Sequence, residues 1–115
     1  MTLLKRKAGM SKADFTAYYE SHHRVIGEKV LTGYATRYVR HHLHPLDGET
    51  LDQDLDVILE LEFPDQAAMD AFFASASQPA IAEEIATDEE QLFDRTRLRI
   101  FTVEDHESDM SAVSG

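Results

Sequence analysis

The spacing of hydrophobic side chains changes period several times along the chain, and each change marks an element. Over residues 55–63, LDVILELEF, Leu55, Val57, Leu59, Leu61 and Phe63 fall on one face and Asp56, Ile58, Glu60 and Glu62 on the other. That period of two predicts a strand with one dry face. Residues 2–7 form a shorter strand candidate, closed by Gly9. Ser11 with Asp14 resembles a capping box, and Phe15, Tyr18, Tyr19, Val25, Ile26 and Val30 recur at three- and four-residue spacings. A helix is therefore expected from Ser11 to about Leu31, with Gly33 just past its end. Residues 35–44 read as a second strand ending at Pro45, and LDGETLDQD (46–54) as an acidic loop. Pro64 and Asp65 open a helix whose apolar side is Ala68, Met69, Phe72 and Phe73. Pro79 starts a short acidic helix reaching about Gln91, and RTRLRIFTV (95–103) is the final strand.

The order β-α-β-β-α-β predicts an α+β, ferredoxin-like fold: a four-stranded antiparallel sheet with helices on one face. If Ala35, Val39 and Leu43 share the dry side with Leu59, the opposite sheet face carries Thr36, Tyr38, Arg40, His42 and His44 beside Asp56, Ile58, Glu60 and Glu62. Such a mixed face either meets water or closes against a second sheet around a polar cavity.

Composition narrows the chemistry. At 115 residues the chain has the length of one domain, and 43% hydrophobic with 29% charged residues is enough apolar content for a core. The net charge of -11 repels phosphate backbones and anionic lipid, so neither nucleic acid nor a membrane surface is expected as a partner. No apolar run approaches the ~18 residues of a membrane span, and MTLLKRKAG lacks the apolar core of a signal peptide, which together suggest a cytoplasmic protein. With no cysteine, disulfides, thiolate ligands and thiol nucleophiles are excluded. Reactive groups must be oxygen or nitrogen.

Nitrogen is concentrated in five histidines between positions 22 and 44. Their spacing disfavours a metal: His22 and His23 diverge by about 100° around a helix, and His41 and His42 point to opposite faces of a strand. Only His42 and His44 share a strand face, roughly 6.6 Å apart. The run Asp52, Asp54, Asp56 lacks the glycine and distal glutamate of a calcium loop and reads as solvated. Acid/base work asks for less. His22 projects into the middle of the apolar stripe and reads as a hydrogen-bonded packing residue, whereas His23 sits at the stripe's edge, four residues after Tyr19. Tyr38 and His42 lie on one strand face. Arg40 either steadies an oxyanion or pairs with Glu60 or Glu62 on the next strand, His41 reads as structural, and Asp94 as a turn-forming carboxylate.

The segments LLKRKAGMSKADFTAYYESHH, RYVRHHL and DEEQLFDRTRLRIFTVED together resemble the EthD-domain family of the dimeric α+β barrels, in order, over residues 3–104. The resemblance implies an EthD-like domain over 1–104 followed by a polar tail over 105–115, and a homodimer with its sheets face to face. The pocket would lie between helices and sheet or inside the barrel. The family's helix histidine falls on His23, and its strand tyrosine and histidine on Tyr38 and His42. The chain departs from the family at Arg24, Val25 and Ile26, where many members have Gly or Ala, Pro and Leu. Characterised relatives include polyketide dehydratases working without metal or organic cofactor. The reading is a cofactor-independent lyase, dehydratase or isomerase acting on a small oxygenated molecule, aromatic or polyketide-like. His23, His42 and Tyr38 would be catalytic, and Tyr19, Arg40 and His44 substrate-binding; neither metal nor cofactor is expected. The alternatives are a non-catalytic ligand-binding or accessory dimer of an oxidation pathway and a cofactorless monooxygenase of quinol-type substrates. With histidines near their ordinary value of about 6.5, activity would change between pH of about 6 and 8.

Overall fold

A computed structural model describes residues 1–48 and 55–111. Four strands, β1 (Thr2–Leu4), β2 (Arg37–His42), β3 (Val57–Glu62) and β4 (Arg99–Ile100), form one antiparallel sheet in the order β2-β3-β1-β4. The helices are α1 (Lys12–Tyr18), α2 (Arg24–Leu31), α3 (Gln66–Ala76) and α4 (Pro79–Leu92). This is the expected ferredoxin-like α+β arrangement. No helix among the described residues is long and apolar enough to cross a membrane. Asp52 and Asp54, expected in a solvated loop, lie outside the described residues.

The helix boundaries follow the caps read in the sequence. Ser11 accepts the Asp14 amide at 3.1 Å and Asp65 accepts the Ala68 amide at 2.8 Å, each satisfying a first-turn N–H that the helix leaves open. Pro79 occupies the first turn of α4, where a missing N–H costs nothing. Past α2, Gly33 takes φ +87°, the left-handed turn that reverses the chain into β2.

One element was not foreseen. The expected single helix is interrupted by a π turn, Tyr19–His23, in which the Arg24 amide reaches back five residues to the Tyr19 carbonyl. The turn accommodates an extra residue, so every later side chain is displaced around the axis. His23 rather than His22 then continues the face begun by Phe15 and Tyr19. His22, expected to pack inside the stripe, is exposed, with its ring tilted against Tyr18 at 4.8 Å.

The sheet faces also differ from expectation. Tyr38 pairs with Leu61, Arg40 with Leu59 and His42 with Val57, and directly paired residues share a face. Tyr38, Arg40 and His42 therefore lie on the helix-covered side, and Arg37, Val39 and His41 share the outer face with Leu3, Ile58, Glu60 and Glu62. A strand whose polar residues fill its inner face cannot be assigned by hydrophobicity alone. Asp56, placed with the outer polar residues in the sequence reading, is 1% exposed: just before β3, it accepts the Arg6 amide at 2.8 Å, with the Arg6 Nε at 3.4 Å. The final strand is shorter than 95–103. Arg95–Arg97 is a 3₁₀ turn, with the Asp94 carboxylate accepting from the Thr96 amide and hydroxyl as the turn reading required. The Phe101 amide donates to the Met1 carbonyl at 2.7 Å, just past the Thr2–Ile100 pair.

The core lies between sheet and helices: Leu4 and Val57 below, Phe15 and Tyr19 above, Leu92 and Phe93 at the end of α4. Each such side chain contributes about 1.5–3 kcal/mol by leaving water. Their further effect is positional, since they fix the π turn and the C-terminal half of α4 against the same end of the sheet.

Candidate functional site

Beside this core opens a cavity of about 980 Å³ between the helices and the sheet. Leu59 and Leu61 line its floor. Tyr19, His23, Ile26 and Gly27 line one wall, Met69, Phe72 and Phe73 of α3 another, and Ile85 and Glu89 of α4 a third. Tyr38 rises from the floor. The walls are mostly apolar and aromatic, and a few polar groups converge among them, as in small-molecule sites generally.

His23 is the best-defined of these groups. Its Nδ1 lies 2.8 Å from Asp88 Oδ2, and the two side chains are 13% and 12% exposed. Asp88 Oδ1 accepts the Tyr18 hydroxyl at 2.5 Å, which pushes the Tyr18 phenol up to about 12. A carboxylate at this position can only accept, so Nδ1 is the donor to it, and in the neutral imidazole Nε2 is then left as the acceptor. The imidazole stands edge-on to Tyr19 and Phe93, each at 5.3 Å between ring centres. Packing thus fixes its plane while Asp88 fixes its tautomer. Tyr19, expected as a substrate-binding residue, touches His23 by ring contact, and its hydroxyl forms no hydrogen bond to the imidazole.

The two tyrosines present neutral phenols. Tyr19 is fully buried, and burial drives its hydroxyl far above the usual phenol range. That hydroxyl lies near the Tyr38 phenol, but among the described residues no partner meets it in good hydrogen-bond geometry. Burial raises Tyr38 as well. Its ring is admitted by Gly27: a Cβ built there would stand 2.6 Å from the Tyr38 hydroxyl oxygen. Glycine in the middle of a helix is otherwise unfavourable, so the close approach of Tyr38 gives Gly27 its physical reason.

His42 and Arg40 are held elsewhere. Arg40 forms a two-pronged pair with Glu20, Nε to Oε2 at 3.1 Å and Nη2 to Oε1 at 2.7 Å, and His42 Nε2 lies 2.9 Å from the same Glu20 Oε2. The Arg40 guanidinium also covers the Tyr38 ring at 4.9 Å. This contradicts the expected Arg40 pairing with Glu60 or Glu62; since Arg40 faces the helices, Glu20 of the π turn is the carboxylate within reach. Glu60 pairs instead with Arg37 at 3.4 Å and His41 at 3.1 Å on the outer face. The Arg40 bond, more than that of His42, holds the Glu20 carboxyl down at about 2. Neither Arg40 nor His42 lines the cavity, and His44 is exposed beyond the end of β2. The structure therefore brings His23, Tyr19 and Tyr38 together and leaves His42, Arg40 and His44 outside. Among the described residues, no three His, Asp or Glu side chains cluster as metal ligands.

Asp88 and Glu89 escaped the sequence reading. On α4 the spacing Ile81, Ile85, Asp88, Leu92 is an apolar stripe with a carboxylate in it, and Glu89 follows Ile85 by one turn. A charge at a core-facing position was the available signal, masked by the overall acidity of the helix. The Glu89 carboxyl is raised above the ordinary carboxylate range by burial, against the opposing pull of His23 and Arg95.

The family model described as the EthD domain matches residues 7–96. No curated protein and no solved structure matches the chain.

Proposed function

The chain belongs to the EthD-domain family, and from that premise we propose a cofactor-independent lyase or isomerase that removes a proton next to a carbonyl in a small oxygenated aromatic or polyketide-like molecule. The observation that carries this reading is the Asp88 carboxylate on Nδ1 of a histidine that lines an apolar cavity. That pairing leaves Nε2 as the proton acceptor and stabilises the imidazolium formed when it takes the proton.

In the elimination form of the reaction, the carbon–hydrogen bond breaks and its proton goes to His23 Nε2. The electron pair moves into the carbonyl to give an enolate, whose oxygen accepts a hydrogen bond from the neutral Tyr38 phenol. The pair then returns to form the carbon–carbon double bond as the carbon–oxygen bond of the β-hydroxyl breaks. The proton on His23 passes to the departing hydroxide, so water is the only by-product and His23 ends neutral. His42 acts at one remove, holding Glu20 and so the π turn that carries Tyr19 and His23. We further propose that the active form is a homodimer joined through the outer sheet face, where Leu3, Val39 and Ile58 are flanked by balanced charges.

The test is proton exchange and water loss on a panel of β-hydroxy ketones and hydroxylated aromatics in deuterated buffer, followed by mass spectrometry. Wild type should incorporate deuterium at the α carbon and release the dehydrated product. Asp88→Asn, which leaves the Nδ1 side of His23 facing an uncharged amide, should lower the rate at least about tenfold, and His23→Ala should abolish it. Equal rates in His23→Ala would sink the mechanism. Saturable ligand binding without exchange would favour the non-catalytic ligand-binding reading.

A further inference from the structure

We propose that Glu89 selects ligands by charge, so that the cavity takes an uncharged hydroxylated aromatic through a hydrogen bond to this carboxyl group and rejects the corresponding carboxylate. This rests on the cavity being the ligand site, but it does not require His23 to transfer a proton.

Three observations place the group. Glu89 lies one turn after Ile85 on α4, and both line the same apolar wall, so its carboxyl enters the cavity from among hydrocarbon groups. Its neighbour Asp88 diverges from it by about 100° around the helix and is consumed by His23 and Tyr18. Among the described residues, the Glu89 side chain forms no hydrogen bond or ion pair, although half-buried groups of this kind normally have one. A ligand hydroxyl would supply the missing partner. Aromatic neighbours, Tyr38, Phe72, Phe73 and Phe93, suit a flat ligand.

The surrounding charges point the same way. Asp65 and Asp105 also border the cavity, whereas among the described residues its one guanidinium is Arg95, which lies 3.7 Å from Glu90, and the Met1 ammonium is bonded to the Phe101 carbonyl. A ligand carboxylate would enter against a mostly negative wall and meet Glu89 where little water remains to screen the repulsion. A phenol enters with no such penalty and can donate to Glu89 when the latter is ionised or accept from it when it is neutral.

Titration calorimetry with 2-naphthol and 2-naphthoate, matched in ring system and differing in charge, tests this on the whole chain at neutral pH. Wild type should bind 2-naphthol at least about tenfold more tightly than 2-naphthoate, a factor worth 1.4 kcal/mol. In Glu89→Gln, which keeps size and hydrogen-bonding capacity, 2-naphthoate should tighten and the ratio should fall toward unity. His23→Ala is the separating control: 2-naphthol should still bind more tightly than 2-naphthoate even where proton exchange is lost. Equal binding in wild type, or an unchanged ratio in Glu89→Gln, would overturn the role of Glu89 while leaving the His23 mechanism standing. Saturable binding of neither probe would overturn the proposal at its premise.

Discussion

At the scale of single residues, the most demanding position is Gly27. It lies within an α-helix, where alanine is preferred by roughly 1 kcal/mol, yet the Tyr38 ring occupies the space a Cβ would take. The ring is half-buried beneath Arg40 and cannot swing aside as a lysine tip would. Gly27→Ala should therefore cost about 1–3 kcal/mol by overpacking, in spite of its better helix propensity. Urea unfolding checks this, and the same substitution in a Tyr38→Ala background should become neutral or slightly stabilising. A stabilising Gly27→Ala in the wild-type background would mean that Tyr38 is not seated against the helix. Much of this was not legible from sequence. His23 and Tyr38 came within reach through the family's helix and strand motifs, although spacing alone put Tyr38 on the wrong sheet face. Glu89 and Asp88 did not, because an acidic helix hides two carboxylates that face inward among others that face water. Gly27 gave no signal until the strand crossing beneath it was known.

At the scale of elements, the π turn is the feature on which the site depends, and its anchor is Glu20. The carboxylate ties Tyr19–His23 to β2 through Arg40 and His42, so helix and strand are joined by charge as well as by packing. Arg40 is the main cause of the depressed Glu20 value of about 2, below an ordinary glutamate at about 4.3. The unfolded chain consequently takes up this proton first as pH falls. The stabilisation from the pair is complete above the ordinary value and is lost between about pH 4.3 and 2. Glu20 is 37% exposed, so solvent screens part of the effect. Glu20→Gln should lower stability at neutral pH and flatten this acid segment of the stability curve, measured by denaturant unfolding from pH 6 to 2. A variant curve parallel to wild type throughout would show that the pair adds nothing to folding. The sequence could reveal the helix and both its ends, through Ser11, Asp14 and Gly33. It could not reveal the π turn, because regular periodicity was assumed across Tyr19–His23, and the same assumption misplaced His22.

At the scale of the whole molecule, charge and shape act in opposite directions on the proposed dimer. The chain carries -11, so two copies repel at long range, whereas the outer face itself is mixed: Arg37 and Arg99 alternate with Glu60 and Glu62 around Leu3, Val39 and Ile58. The contacts that Leu3, Val39 and Ile58 would make across it are short-range and apolar, so they are little weakened by salt. The repulsion between distant charges is screened once the Debye length shrinks from about 30 Å at 0.01 M to about 8 Å at 0.15 M. Dimerisation should accordingly tighten as salt is raised over this range, the opposite of an interface held by surface ion pairs. Sedimentation velocity at 10 and 150 mM salt would read the shift, with the dimer fraction growing at a fixed chain concentration. Ile58→Lys puts an unpaired ammonium at the centre of the face and should leave a folded monomer at both salt concentrations. If wild type sediments as a monomer at every salt and concentration tried, the outer face has no second copy on it. If a dimer forms but survives Ile58→Lys unchanged, the two chains meet through some other surface.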